Sequence, residues 1–179
     1  MERQLFGGAI IVSLPASMMD ASDVRPVPDN QEMWFCSKGQ SVVVEVVERV
    51  PNLEDATSAA FFFTDLAEQN ASPMRETNDA RAIDASVLRD TRLVGSVCSG
   101  VQKIHMSGRD VPVRVHVACL RIASEDTDLL LSVTTPIPEP GERADTQHDA
   151  STPLCAPGDE VIDTMIRTLR IVDYGLFRG

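Results

Sequence analysis

The histidines and cysteines of this chain are the residues whose types could support nucleophilic, acid–base or metal chemistry. The sequence holds three histidines and four cysteines: His105, His116, His148, Cys36, Cys98, Cys119 and Cys155. The cysteines have no C-x-x-C spacing and no nearby histidine pair, so the sequence predicts neither a zinc site nor a redox motif. We expect reduced packing cysteines of a cytosolic or nuclear protein, with a disulfide pair as the alternative.

These residues give little support to enzymatic chemistry. His105 and His116 lie on neighbouring predicted strands and could meet across a hairpin, as a metal or base site or, as we favour, as a solvated or hydrogen-bonded pair. Cys98 or Cys119 could pair with a histidine as a nucleophile, but no third group is available to orient the base. Residues 95–100 have the glycine spacing of a phosphate loop without its Lys and hydroxyl residues, so we predict strand there. The sequence therefore predicts no catalytic residue, no cofactor and no metal.

Residues 20–32 carry the most unusual local chemistry of the chain. This segment, DASDVRPVPDNQE, combines two prolines with four acids and one arginine, namely Asp20, Asp23, Arg25, Asp29 and Glu32. Prolines remove conformational freedom before binding, so little ordering entropy would oppose association. Asp29 and Glu32 could engage a Lys on a partner, and Arg25 could brace a carboxylate bidentately. The alternative is a turn capped by Asp20 and followed by a solvated loop.

The charge balance limits the kinds of partner that the chain can bind. Asp and Glu number 27 against 16 Lys and Arg, which gives a formal net charge of -11. Such a field repels phosphate backbones, so we expect neither nucleic acid nor an anionic membrane surface as a partner. No run approaches the ~20 apolar residues of a membrane span, so we expect no membrane insertion. A basic protein surface is the electrostatically favoured partner.

Two apolar periodicities define the elements that must position these residues. Alternating or continuous apolar runs predict strands at residues 9–14, 31–35, 41–50, 91–105, 110–122 and 127–134. Spacing of 3.6 residues predicts helices at 52–69, with Asn52 as the N-cap, and at 159–168. A hairpin signal at 107–110 and the wide separation of the helices predict a largely antiparallel sheet packed by helices.

The remaining segments indicate a single domain over residues 1–179, with no internal repeat. Polar surface loops are predicted at about 70–86 and 136–157. Residues 5–15 could pass for the apolar region of a signal peptide, but we favour a buried strand because a proline ends the run early. For the three phenylalanines at 61–63 we favour core packing with one exposed neighbour over a partner groove.

Five segments, in this order, resemble the Mog family of Ran nucleotide-release factors: LFGGA (5–9), DASDVRPVPDNQE (20–32), SVVVEVVE (41–48), TDLLL (127–131) and DYGLF (173–177). The RPVPDNQE stretch is the most specific of them, and the two polar segments match poorly. The resemblance implies an α/β (α+β) fold with a central, largely antiparallel six-stranded sheet flanked by helices on both faces. The extrinsic PsbP subunit of photosystems shares that fold.

The resemblance also implies binding to the GTPase Ran, release of its GTP and support of nuclear protein import in nucleus and cytoplasm. The Ran-binding acids of the family fall on Asp29 and Glu32, with Asp20 and Arg25 in the same surface patch and, as further candidates, Asp23, Glu45 and Glu48. The expected partner surface is the basic region near the nucleotide pocket of Ran, and accessory Ran-binding proteins are further candidate partners. We expect a monomer.

Besides an enzyme that uses His105, His116 and a cysteine, two alternatives stay open at this point. One is an acidic interaction adaptor for another basic protein, with no nucleotide-release activity. The other is an extracytoplasmic domain of the PsbP type. Residues 33–34, Met-Trp, stand where the family often has a smaller aliphatic residue or Phe, a departure that could alter partner affinity without changing the fold.

Overall fold

Residues 1–72, 75–106, 108–138 and 155–178 are described by the structure, a computed structural model. They form the strands β1 (Glu2–Leu5), β2 (Ile10–Ser13), β3 (Met19–Asp20), β4 (Gln31–Phe35), β5 (Ser41–Glu48), β6 (Arg75–Ala82), β7 (Val94–Met106), β8 (Arg109–Ile122), β9 (Thr127–Pro136) and β10 (Arg170–Ile171), and the helices α1 (Ser58–Gln69) and α2 (Gly158–Thr168). The strands predicted at 31–35, 41–50, 110–122 and 127–134 are therefore confirmed to within a few residues.

The strands form one large sheet and one small sheet. The large sheet has seven strands in the order β3-β4-β5-β9-β8-β7-β6, and its neighbours pair antiparallel. A separate three-stranded sheet has the order β1-β2-β10. The predicted fold class is confirmed, but the predicted count of six strands in the central sheet is wrong. The first predicted strand joins the small sheet, whereas β3 and β6 extend the large one.

Strand β8 shows how both faces of the large sheet become buried. Val115 and Val117 pack in a cluster with α1, while Ala118 and Leu120 pack in the cluster that contains α2 and the small sheet. Successive side chains of a strand point to opposite faces, so the two clusters lie on opposite sides of the sheet. The pairing of β8 with β7 continues without interruption through residues 109–121. The end of β8 is therefore regular and buried on both faces.

Helix α1 has the predicted apolar face but a different start. Phe62 and Phe63 are buried, whereas Phe61 is 44% exposed, which confirms core packing with one exposed neighbour. The prediction of Asn52 as the N-cap is wrong, because Asn52 adopts a φ of 60° in a turn and the helix begins at Ser58. Asn tolerates this left-handed conformation better than most residues. The Oγ of Ser58 lies 3.0 Å from the Oγ of Ser96 on β7, which anchors the helix start on the sheet.

The polar segment at 70–86 contains an element that the sequence did not predict. Residues Arg75–Ala82 form β6, which pairs with β7 and has an irregular register between Asn78 and Arg81. This part of the loop prediction is therefore wrong. The sequence did not reveal the strand, because an edge strand needs backbone pairing on only one side and no apolar alternation. Arg81 and Ala82 are exposed, as an edge strand allows. Of the second predicted loop at 136–157, residues 139–154 lie outside the described residues.

The cysteines divide into two pairs with different environments. Cys36, which follows β4, forms a disulfide with Cys155, which lies shortly before α2. The expectation that all four cysteines are reduced is therefore wrong for these two, since the fold brings together segments 119 residues apart in the chain. Cys98 and Cys119 are buried packing residues, as predicted.

Candidate functional site

The candidate site begins at Asp20, which is the last residue of β3 and caps a short turn. Its Oδ1 accepts hydrogen bonds from the backbone N–H of Ser22, at 2.8 Å, and from the hydroxyl of Ser22, at 2.7 Å. The turn that follows is a 3₁₀ helix at Ala21–Asp23. The predicted capping role of Asp20 is confirmed, and Asp23 lies exposed at the end of the turn.

Arg25 contacts β4 rather than an acid. Its guanidinium Nη2 lies against the Sδ of Met33. Within the described parts of the chain, no carboxylate forms a salt bridge with Arg25. The predicted bidentate bracing of a carboxylate is therefore not present in this structure.

Glu32 is half-buried and holds a turn of the small sheet. Its Oε1 accepts a hydrogen bond from the backbone N–H of Phe6. Phe6 has a φ of 51° and Gly7 a φ of 65°, so the chain turns between β1 and β2 through left-handed backbone conformations. The glutamate supplies the acceptor that this turn would otherwise lack. Glu32 therefore has a structural role beside any role in binding.

The substitutions Glu32→Gln and Glu32→Lys are expected to separate these two roles. Gln keeps an oxygen that accepts from the N–H of Phe6, so we expect the free energy of unfolding to fall by less than about 1 kcal/mol. Lys removes the acceptor, and the unpaired amide should lower the free energy of unfolding by about 1–3 kcal/mol. Urea unfolding measures both values. Equal stability of the two variants would show that this hydrogen bond does not hold the turn.

Asp29 is an exposed acid in a stiff turn that leads into β4. The backbone N–H of Gln31 donates to the carbonyl oxygen of Pro28 at 2.9 Å, which closes the turn around Asp29. Glu45 on β5 lies beside this turn, and its Oε1 accepts from the side-chain amides of Asn30, at 3.3 Å, and Gln31, at 3.0 Å. These contacts group Asp29 and Glu45 at one end of β4 and β5.

The register of β4 and β5 separates the other candidate acids from this group. Gln31 pairs with Glu45, whereas Glu32 pairs with Val44, so Glu32 and Glu45 point to opposite faces of the sheet. Asp20 pairs with Trp34 and shares the face of Glu32. Glu48 is exposed at the C-terminal end of β5, three residues beyond Glu45. The structure therefore distributes the predicted acids over two faces of one sheet edge instead of a single flat patch.

Sequence reasoning missed an apolar surface beside Asp29 and Glu45. Four apolar residues, Met19, Met33, Phe35 and Val43, share one face of β3, β4 and β5 by register. Met19 is 47% exposed and the other three are half-buried. We call these four residues the open face. Its signal in the sequence is the alternation of Met33 and Phe35 with the buried Trp34 in β4.

Among the described residues, His105 and His116 lie far apart, and Cys98 and Cys119 are buried. His105 Nδ1 lies 3.1 Å from Asp110 on the exposed hairpin, whereas His116 is buried and pairs with Ser99 on β7. Six residues of β7 separate His105 from Ser99, about 20 Å of strand, so the idea that the two histidines meet is wrong. Burial raises the pKa of the Cys119 thiol to about 12 and also raises the pKa of Cys98, which keeps both thiols protonated and poorly nucleophilic.

The described residues also bear on two other kinds of site. They contain no group of three or more His, Cys, Asp or Glu placed to hold a metal ion. They also contain no helix that is long and apolar enough to cross a membrane. The acids and the open face at the β4–β5 end of the sheet therefore remain the strongest candidate site.

The fold and this site define a class of protein, a mixed α/β protein with a central antiparallel sheet whose edge carries a candidate protein-binding surface. A sequence model of the family described as Ran-interacting Mog1 protein matches residues 3–136. The chain therefore belongs to this family.

Individual relatives support the same assignment. The chain is 30% identical over 182 residues to the Ran guanine nucleotide release factor of Bos taurus, covering 98% of this chain and 96% of the relative. It is 36% identical over 141 residues to the Homo sapiens protein of the same name, covering 75% of each. The structure of the Saccharomyces cerevisiae Ran-binding protein Mog1p matches with a TM-score of 0.72 at 23% identity, covering 99% of this chain and 97% of that chain. That last likeness shows the shared fold.

Proposed function

We propose that this protein binds Ran, promotes the release of GTP from it and thereby supports nuclear protein import in nucleus and cytoplasm. The observation that carries the proposal is the match to the Ran-interacting Mog1 family over residues 3–136. Relatives named Ran guanine nucleotide release factor and nuclear import protein MOG1, the latter from Saccharomyces cerevisiae at 27% identity over 98% of this chain, support it. The protein acts as a regulator of a GTPase and has no catalytic role of its own.

Asp29 and Glu32 are the proposed principal contacts with Ran. Asp29 is exposed in a turn that the chain has already ordered, so its binding loses little conformational entropy. Glu32 contributes its charge while one oxygen stays bound to Phe6. Asp20 and Arg25 are further proposed contacts, and Asp23, Glu45 and Glu48 are the weaker candidates.

The proposed mechanism is a linkage between two binding equilibria. The carboxylates attract the basic surface near the nucleotide pocket of Ran, which speeds encounter and fixes orientation. If the complex favours a conformation of Ran that holds nucleotide weakly, nucleotide must weaken the binding of this protein by the same factor. A tenfold loss of nucleotide affinity requires only about 1.4 kcal/mol of coupling. Electrostatic contacts over a modest surface are sufficient for that.

We also propose that residues 1–179 act as a single domain. The small sheet supports this, because β2 pairs with β1 and also with β10 near the other end of the chain. In addition, the Oγ1 of Thr168 on α2 accepts from the N–H of Ser13 at 3.0 Å. Contacts between segments so distant in sequence are typical of one cooperative unit.

Release of a fluorescent GTP analogue from Ran, with and without this protein, tests the proposed function. We expect the protein to accelerate release in a concentration-dependent manner. Excess free GTP should reduce its affinity for Ran, as reciprocity requires. Binding to Ran without acceleration would contradict the release function, and the absence of binding would favour an adaptor for another basic protein.

A further inference from the structure

The face of the large sheet that carries α1 is only partly covered within the described residues. The helix packs mainly against β6, β7 and β8. The open face on β3, β4 and β5 therefore lies beside the helix rather than beneath it. On the opposite side of the same strands, Trp34, Val42 and Val44 are buried. Strands with one buried side and one half-buried apolar side are typical of a binding surface rather than of a solvated edge.

A groove follows the boundary between the open face and α1. Val43, Val117 and Leu130 line it from the sheet, and Phe62 and Leu66 line it from the helix. Its volume is about 50 Å³, whereas small-molecule sites have roughly 300–1,000 Å³. The groove has room for the end of one aliphatic side chain. Its occupant is therefore part of a larger partner.

Carboxylates on both sides of the groove determine the charge of that partner. Glu45 on β5 and Asp65 on α1 both line it. One oxygen of Asp65 accepts from the side chain of Gln69 at 2.7 Å, which holds the carboxylate at the rim. Glu45 is held in the same way by Gln31, at 3.0 Å. An apolar groove between two fixed carboxylates favours an aliphatic side chain with cations next to it.

We propose that the open face and the groove together form a docking surface for a protein segment that presents an aliphatic side chain flanked by Lys or Arg. The aliphatic side chain enters the groove beside Leu66, and the flanking cations lie against Glu45 and Asp65. The proposal rests on the proposed function, because the segment belongs to Ran. Asp29 precedes Gln31 by two residues at the end of the same strand pair, so one partner can contact both surfaces.

A second copy of this chain fits the surface less well than a basic segment. The chain has a formal net charge of -11, so two copies repel each other. In a symmetric dimer through the open face, Glu45 and Asp65 of one copy would approach the same acids of the other. Like charges placed together in this way oppose association.

The substitution Met33→Lys tests the apolar part of the proposed surface. It places an ammonium where the partner should pack, so the affinity for Ran should fall about tenfold or more. Met33→Leu keeps the apolar surface and should retain the native affinity. The matched control is Val172→Lys, which changes a side chain that is 61% exposed just after β10. Titration calorimetry with Ran measures all three affinities.

The substitution Asp65→Lys tests the acidic rim independently. Asp65 is exposed on α1, so this variant should fold even if Met33→Lys does not. Its affinity for Ran should fall, and the loss should shrink at high salt. Much of the loss caused by Met33→Lys should persist at high salt, because salt screens the repulsion of the added ammonium but not the loss of apolar contact. Urea unfolding of each variant confirms that the fold is retained.

The outcomes separate this proposal from the proposed function. Native affinity in Met33→Lys and Asp65→Lys, together with a loss in Asp29→Lys, overturns the docking surface and leaves the function intact. Failure of the unchanged protein to bind Ran overturns both. A dimer of the unchanged protein in sedimentation experiments that Met33→Lys dissociates would make a second copy the occupant and overturn the proposal.

Discussion

Replacing Asp29 by Lys is expected to lower the affinity for Ran by at least about 30-fold and to abolish the acceleration of nucleotide release. Asp29 is exposed and lies in a turn closed by the hydrogen bond from Gln31 to Pro28, so the substitution changes the charge of the surface without removing a contact of the fold. Truncating an interface carboxylate that pairs with a buried cation costs about 2–5 kcal/mol, and reversing its charge adds repulsion.

Fluorescent nucleotide release and titration calorimetry measure the two effects of Asp29→Lys. The control is Asp110→Lys, which makes the same charge change in the β7–β8 hairpin. Asn30, next to Asp29, lies opposite Val46 on β5, which is opposite Leu129 on β9 and, beyond it, Leu120 on β8. Asp110 is ten residues along β8 from Leu120, so about 30 Å separate it from the site. Asp110→Lys should leave the affinity near the native value. Equal losses in the two variants would mean that only net charge matters, and no loss in Asp29→Lys would contradict the site.

Glu32 should be tested for binding with Gln rather than with Lys. Glu32→Gln removes the charge and retains the hydrogen bond to Phe6, so a change in affinity reports on the charge alone. Glu32→Lys also disturbs the turn between β1 and β2, and its effect on Ran would mix binding with local unfolding. Because Glu32 lies on the face opposite Glu45, the proposed assignment of both acids to the interface requires Ran to contact the sheet edge from two sides.

Replacing Arg121 by Met is expected to lower the free energy of unfolding by about 3–5 kcal/mol, the largest stability effect of any substitution proposed for this protein. Arg121 is 1% exposed, and its Nε donates to the Oδ1 of Asp128 at 2.9 Å; Asp128 is itself fully buried. Removal of the guanidinium leaves that carboxylate buried without its cation. The methionine side chain fills the space but supplies no donor.

The effect should be large because Arg121 also holds the connection between β5 and α1. Its guanidinium donates to the carbonyl oxygens of Val50, at 2.7 Å, and of Leu53, and to the Oδ1 of Asp55 at 3.2 Å. A buried arginine that satisfies several backbone carbonyls fixes the path of a connection that has few apolar contacts of its own. Loss of these bonds should loosen the start of α1.

Urea unfolding of Arg121→Met, Asp128→Asn and the double variant measures this network. The double variant should lose less free energy of unfolding than the two single variants lose together, because it leaves no unpaired charge in the interior. Arg121→Lys should be destabilised as well, since an ammonium cannot reach the several acceptors that the planar guanidinium reaches together. A loss below about 1 kcal/mol in Arg121→Met would contradict a structural role for the network.

The sequence by itself determined the features that depend on local pattern. Alternating or continuous runs of apolar residues located β5, β8 and β9, and 3.6-residue spacing located the buried face of α1. Asp20 was predicted as a cap because the short side chains of Asp and Ser accept hydrogen bonds from backbone amides left unpaired at the start of a turn. The segment at 20–32 also carried the resemblance from which the binding acids were predicted. Each of these signals lies within a few residues of the feature it predicts.

The tertiary structure alone decided the features that depend on pairing between distant segments. β6 is an edge strand without apolar alternation, so only its pairing with β7 identifies it as a strand. Glu32 with Phe6, Cys36 with Cys155 and Arg121 with Asp55 are contacts across 26, 119 and 66 residues of chain. The register of β4 on β5 sent Glu32 and Glu45 to opposite faces. Register and long-range contact arise from how whole elements pack, so no local pattern of residues encodes them.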